Sequence, residues 1–120
     1  MSEPELREIN ILDLQPTDTL RAETMSFLES LSEEEICRLE APQVWETSEG
    51  LLISDGNNRA ALFARKNCLR IKVDYCTSED IVDFRKYYEE EVEFVLERAK
   101  QLKKQGICTL YDLLSNANYK

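Results

Sequence analysis

The chain contains no histidine. That absence removes the usual general base near neutral pH and excludes Ser-His and Cys-His catalysis outright. The cysteines are Cys37, Cys68, Cys76 and Cys108, and none stands in a CxxC spacing. A zinc site would need all four thiols gathered from scattered segments, so reduced, mostly buried thiols are expected and no metal ligand is assigned. No apolar run reaches membrane-spanning length. The opening MSEPELREIN is acidic and polar, unlike a signal peptide, which points to the cytoplasm. Internal repeats and low-complexity linkers are also lacking.

What is present suits one globular domain. The chain has 120 residues, 42% hydrophobic and 32% charged, enough to bury a core without staples. Net charge is −9, unevenly spread: residues 1–50 carry −10, residues 51–76 carry +3 and residues 77–120 carry −2. An acidic protein with one small basic island is poorly suited to gripping a nucleic-acid backbone, where phosphate contacts dominate. It can hold one small anion. Equally, +3 over 26 residues is within ordinary fluctuation.

The order of elements reads as α+β. REINILDLQP predicts a first strand stopped by Pro16. TDTLRAETMSFLESL places Leu20, Thr24, Phe27, Leu28 and Leu31 on one helical face, with Thr17 or Thr19 able to cap. Ser32 and Glu35 have capping-box spacing and open a short second helix that ends before Pro42. QVWE and LLIS flank a turn with Gly50 and predict a hairpin. NNRAALFARKN is a helix apolar nearly all round, hence central. RIKVDYC alternates, putting Ile71, Val73 and Tyr75 on one face of a strand. After TSED a single long helix is expected to about Lys104, stopped by Gly106. A final short helix with a polar tail follows. Residues 1–76 form the α/β core of this reading, and residues 77–120 a long helical extension of the same domain.

Chemistry concentrates at one junction. In LLISDGNNRAALFARKN a strand hands over to a helix through Asp55, Gly56, Asn57, Asn58 and Arg59. A helix N-terminus has unpaired N–H groups and a positive partial charge, and so attracts anions. Gly56 allows a sharp turn and close approach of a ligand. Asn57 and Asn58 can donate amides, and Arg59 adds a forked cation. The same residues also suit a plain turn, with Asn57 as helix cap and Arg59 paired to Asp55.

Across residues 7–76 these elements resemble the ParB/sulfiredoxin-like superfamily. The resemblance rests on INILDLQP, on APQVWETSEGLLISDGNNR with its strand ending in Asp-Gly-x-x-Arg, and on the alanine-rich AALFARKN leading into LRIKVDY. It implies a small mixed sheet with packed helices, and nucleotide phosphates held at the strand-to-helix junction. ParB proteins carry an acid and two arginines after the glycine, and they bind and hydrolyse CTP. Here Asn57 and Asn58 take the first two of those positions, and only Arg59 matches. Sulfiredoxins have Cys-His-Arg there, and Asn57 replaces the attacking cysteine, which argues against their chemistry. The free-serine kinases of this superfamily have a similar Asp-Gly-x-x-Arg segment. Their catalytic acid lies early in the domain, where Asp18 is the first candidate and Glu23 the second. The first helix also lines the site in these relatives, so Arg21 and Thr24, three apart, are candidate ligand contacts; each also fits a solvated or packing role. Asp55 is a candidate partner for Mg²⁺ accompanying a nucleoside triphosphate.

The expected function is therefore nucleotide or phosphate binding at this junction, with weak phosphoryl transfer or hydrolysis as a further step. The alternative is a non-catalytic interaction or regulatory module, in which the acidic helix of residues 78–104 presents Tyr87, Tyr88 and Phe94 to a protein partner. Full-length partition proteins carry a helix-turn-helix after this domain. Only about 44 residues follow Cys76 here, net negative and without that motif, which argues against direct DNA binding.

Overall fold

A computed structural model describes residues 5–116. Met1–Pro4 and the polar tail at 117–120 lie outside the described residues. The strands are β1 (Glu5–Asn10), β2 (Leu14–Gln15), β3 (Gln43–Thr47), β4 (Gly50–Asp55) and β5 (Arg70–Cys76). They form one mixed sheet in the order β1-β5-β3-β4-β2. The helices are α1 (Ala22–Glu29), α2 (Glu33–Cys37), α3 (Asn57–Arg65), α4 (Ser78–Arg85), α5 (Glu89–Lys104) and α6 (Leu110–Ser115). The class is α+β, as expected. None of the helices among the described residues is long and apolar enough to cross a membrane.

The expected first strand is in fact two strands on opposite edges of the sheet. Asn10 interrupts it: its side chain accepts from Leu12 N at 2.9 Å and starts a 3-10 turn over Ile11–Asp13. A local side-chain bond of this kind competes with the strand ladder. β1 then pairs with β5, while β2 pairs with β4. The four steps from Asn10 to Leu14 reach at most about 14 Å. A flat sheet of five strands would hold its edges about 19 Å apart. The sheet is therefore curled, and the chain leaving β2 passes Ile53 of β4, whose carbonyl accepts from Thr17 Oγ1.

The two faces of β3 organise two cores. Val44 faces a main cluster with Ile53, Val73, Ala60, Ala61 and Leu62, all at most 1% exposed. Trp45 points the other way and packs with Ile81 and Val92 beneath α4 and α5. α5 starts over Trp45 and ends with Leu102 in the main core, beside Ile107, Leu110 and Leu113. The C-terminal helices thus share the core of the N-terminal part. α3 is central, as its apolar sequence requires.

Other helical details differ from expectation. α1 begins only at Ala22, because Thr17 and Arg21 are bonded to the asparagines of α3. Its buried face is Met25 and Leu28, and Phe27 is 62% exposed. Neither Thr17 nor Thr19 caps it. The single helix expected over 78–104 breaks at Tyr88, whose φ −136° and ψ 51° are not helical. The break lets Phe84 stack on Tyr88 at 4.7 Å between centroids and lean on Trp45 at 5.7 Å. Two consecutive tyrosines are weak helix formers, and aromatic packing decides the corner. α5 ends as expected at Gly106, with Gly106 N bonded to Lys103 O and Ile107 N to Leu102 O. Cys37 and Cys108 are exposed and Cys68 and Cys76 half-buried, all free, so the expected burial of the thiols is corrected. Cys37 closes the short α2 and Cys108 follows the Gly106 turn, and both positions face solvent.

One buried titrating group sits on the main-core face. The Tyr75 hydroxyl donates to Glu46 Oε2 at 2.5 Å, and the Arg7 guanidinium lies 4.0 Å above its ring. Burial, then the hydrogen bond to Glu46, pushes the Tyr75 phenol up from 10.0 to about 12. A raised phenol favours folding while the group is protonated. That contribution, roughly 2 kcal/mol, is complete below pH 10 and lost as pH rises toward 12. Urea midpoints measured from pH 9 to 12 should fall in that window, and Tyr75→Phe should flatten the fall. An unchanged profile in Tyr75→Phe would assign the alkaline loss elsewhere.

Candidate functional site

The end of β4 turns into α3 at Gly56, whose φ of +90° lies in the left-handed region that favours glycine. A Cβ there would stand 2.7 Å from Arg59 Nη2, 3.0 Å from Arg59 Nε and 3.0 Å from Pro42 Cα. The expected opening for a ligand directly over Gly56 is thus taken by the chain's own guanidinium. Glycine is needed so that Arg59 can fold back across the turn.

Arg59 is held loosely in that place. Its Nη2 stands 3.5 Å from Asp55 Oδ2, but the Asp55 side chain is 77% exposed and the pair is weak. Arg59 Nε is buried without any hydrogen-bond partner. Beside it the mouth of α3 is open. Gly56 offers no capping side chain, and the first turn holds no acid. The first backbone bond is Ala60 N to Gly56 O at 2.9 Å. The amides of Asn57, Asn58 and Arg59 precede that bond and find no carbonyl within the helix.

The Asn57 side chain does structural work instead of the expected donation to a ligand, and Asn58 is tied through its oxygen alone. Asn57 is 7% exposed. Its Oδ1 accepts from Thr17 N at 2.9 Å, and its Nδ2 donates to Thr17 Oγ1 at 3.2 Å. Thr17 Oγ1 in turn donates to Ile53 O at 2.5 Å. Asn58 Oδ1 accepts from Arg21 N at 2.9 Å. The two amides therefore pin residues 17–21 against the mouth of α3. That leaves the backbone N–H groups and Asn58 Nδ2, but not the Asn57 carboxamide, for an anion.

These elements enclose a cavity of about 340 Å³. Asp55, Gly56, Asn57, Asn58 and Arg59 line it, together with Asp18, Arg21 and Thr24. Of the residues singled out from the sequence, Glu23 alone is not part of the lining. It is exposed, one position and so about 100° around α1 from Thr24. Asp18 is consequently the acid near the site. Its Oδ1 takes Arg98 Nη2 at 2.8 Å and Thr19 N at 2.8 Å.

Sequence reasoning missed the third wall. α5 adds Phe94, Val95 and Arg98, and Thr17 and Ser54 complete the lining. Arg98 also donates from Nε to Thr17 O at 3.3 Å. A usable signal existed. Glu89, Glu90, Glu91, Glu93 and Glu97 precede Arg98, the first cation of α5. The cavity therefore holds three guanidiniums against the carboxylates of Asp18 and Asp55, in a chain of net charge −9. Arg21 has no ion-pair partner among the described residues. No cluster of three or more metal-ligating side chains occurs among the described residues. Comparison of the chain with protein-family models, with curated proteins and with solved structures finds no match in any of the three.

Proposed function

We propose that the cavity binds the phosphate groups of a nucleotide, as the resemblance to ParB/sulfiredoxin-like domains implies. The observation that carries this reading is Arg59 Nε, buried and unpartnered beside the uncapped N-terminus of α3. A buried donor without an acceptor costs about 1–3 kcal/mol. A phosphate oxygen relieves that cost and accepts from the free amides as well. Arg21 and Arg98 supply further positive charge from elsewhere in the lining.

Mg²⁺ fits this site only as a companion of the phosphates. It needs few protein ligands when phosphates and water fill its shell. Asp55 Oδ1 is the oxygen that Arg59 leaves free. For phosphoryl transfer or hydrolysis, Asp18 Oδ2 is the group placed to accept a proton from an attacking hydroxyl or water. Its other oxygen, tied to Arg98, fixes its orientation.

Thermal unfolding with ATP, CTP, GTP and ADP, each with and without Mg²⁺, tests the reading. A ligand at 100 times its dissociation constant stabilises by about 2.7 kcal/mol, several degrees for a domain of this size. Arg59→Ala should remove that shift while leaving the ligand-free midpoint nearly unchanged. Nucleotide stabilisation that survives Arg59→Ala contradicts the assignment.

A second reading has its own observation. Tyr87, Tyr88 and Phe94 are 82%, 50% and 66% exposed around the α4–α5 corner. An aromatic, acid-rimmed corner suits a protein partner with a basic surface. That reading gains if every nucleotide leaves the midpoint unmoved.

A further inference from the structure

The phosphate cavity does not end at Arg98. A second groove of about 490 Å³ shares Ser54, Phe94 and Val95 with it. This groove runs on between β3 and α5, past Trp45 and Phe84, to Glu90 and Glu91. Its floor is fixed: Gln43 Oε1 accepts from Ser54 Oγ at 2.8 Å and from Trp45 Nε1 at 3.2 Å.

α5 orders these groups along one stripe. Glu91, Phe94 with Val95, and Arg98 are spaced by three or four residues and lie on one face. From Glu91 to Arg98 the helix advances about 10 Å. The stripe presents acceptors at one end, an apolar ring wall in the middle and a cation at the phosphate end. A nucleotide carries the complementary sequence of groups: amino donors on the base edge, the base face, then phosphates.

Building on the proposed phosphate site, we propose that this groove holds the base of the nucleotide, and that Glu90 and Glu91 select bases with an exocyclic amino group. Phe94, 66% exposed at the junction of the two cavities, is the stacking wall. Bases stack on aromatic side chains irrespective of sequence. Carboxylates accept from amino groups and repel the carbonyl oxygen that replaces one in uracil or hypoxanthine.

Dissociation constants would be measured for inorganic triphosphate and for the pairs CTP and UTP, and ATP and ITP. The amino-bearing member of each pair should bind about tenfold tighter. Glu90→Gln with Glu91→Gln should shrink that ratio toward one. Phe94→Ala should weaken all nucleotides by about tenfold and inorganic triphosphate, which has no base to stack, by clearly less. Both sites are on the surface, so these variants should fold. Triphosphate binding as tight as any nucleotide overturns the base groove and leaves the phosphate site standing. Equal affinity within the pairs overturns the selection by Glu90 and Glu91. Failure of triphosphate and of every nucleotide to bind overturns the phosphate site and this inference together.

Discussion

Gly56→Ala is expected to destabilise the fold by about 2–5 kcal/mol and to abolish phosphate binding. Two costs add. A non-glycine residue in the left-handed region costs about 1–2 kcal/mol. Overpacking adds about 1–3 kcal/mol. The new methyl would meet Arg59 Nη2 at 2.7 Å and Pro42 Cα at 3.0 Å. The guanidinium can swing away, but Pro42 is under 2% exposed and its carbonyl is tied to Asp74 N at 2.9 Å, so its backbone cannot. A displaced Arg59 no longer faces the cavity, so binding goes with stability. Urea unfolding and a nucleotide titration of the variant check both parts. A stable Gly56→Ala protein that still binds would mean that the turn and Arg59 are not coupled as described.

Asn57→Ala is expected to cost about 3–5 kcal/mol. The substitution removes two hydrogen bonds, each worth about 1 kcal/mol. It also leaves Thr17 N without its acceptor in a buried place, at about 1–3 kcal/mol more. Residues 17–21 should then loosen from α3, carrying Asp18 and Arg21 away from the cavity. Amide hydrogen exchange would show faster exchange at Thr17 and at Arg21, whose N–H is held by neighbouring Asn58. A fully stable Asn57→Ala protein would remove the structural role given to this side chain. The expectation also explains why asparagines stand at the junction. Their carboxamides can both accept and donate, and Asn57 does both toward Thr17.

Local signals made much of the fold legible. The capping boxes at Ser32 and Thr77 are present, and each fixes a helix start through side-chain bonds three residues apart. Alternation in β5 correctly placed Ile71, Val73 and Tyr75 on the buried face. The misreadings arose where a distant contact or a local side-chain bond overrode the apolar pattern. Phe84 and Tyr88 keep helical spacing, yet the packing of Phe84 on Trp45 and of Tyr88 on Phe84 bends the chain between α4 and α5. Asn10 looked like one more strand residue, but its own side chain starts the 3-10 turn that sends β2 to the far edge. Phe27 fits the apolar stripe of a helix starting at Thr17. The helix starts later, and Met25 takes the core position.

The site divides in the same way. Asp55 to Arg59 are adjacent in sequence and were legible as a junction. Asp18, Arg21 and Thr24 were reached only through the family resemblance, and they line the same cavity. Arg98 lies 80 residues from Asp18 and joins it through a fold that no local pattern encodes. The Asn57 carboxamide was read as a ligand donor because a sequence does not reveal that Thr17 already occupies it.

The central claim is that an anion sits at the mouth of α3 against Arg59. A titration followed by ¹⁵N nuclear magnetic resonance, with a nucleoside triphosphate and Mg²⁺, locates the ligand directly. The account predicts that the amides of Asn57, Asn58 and Arg59 shift together with the Arg59 Nε–H, at one common dissociation constant. Shifts confined to Tyr87, Tyr88 and their neighbours, or no shifts at all, would contradict it.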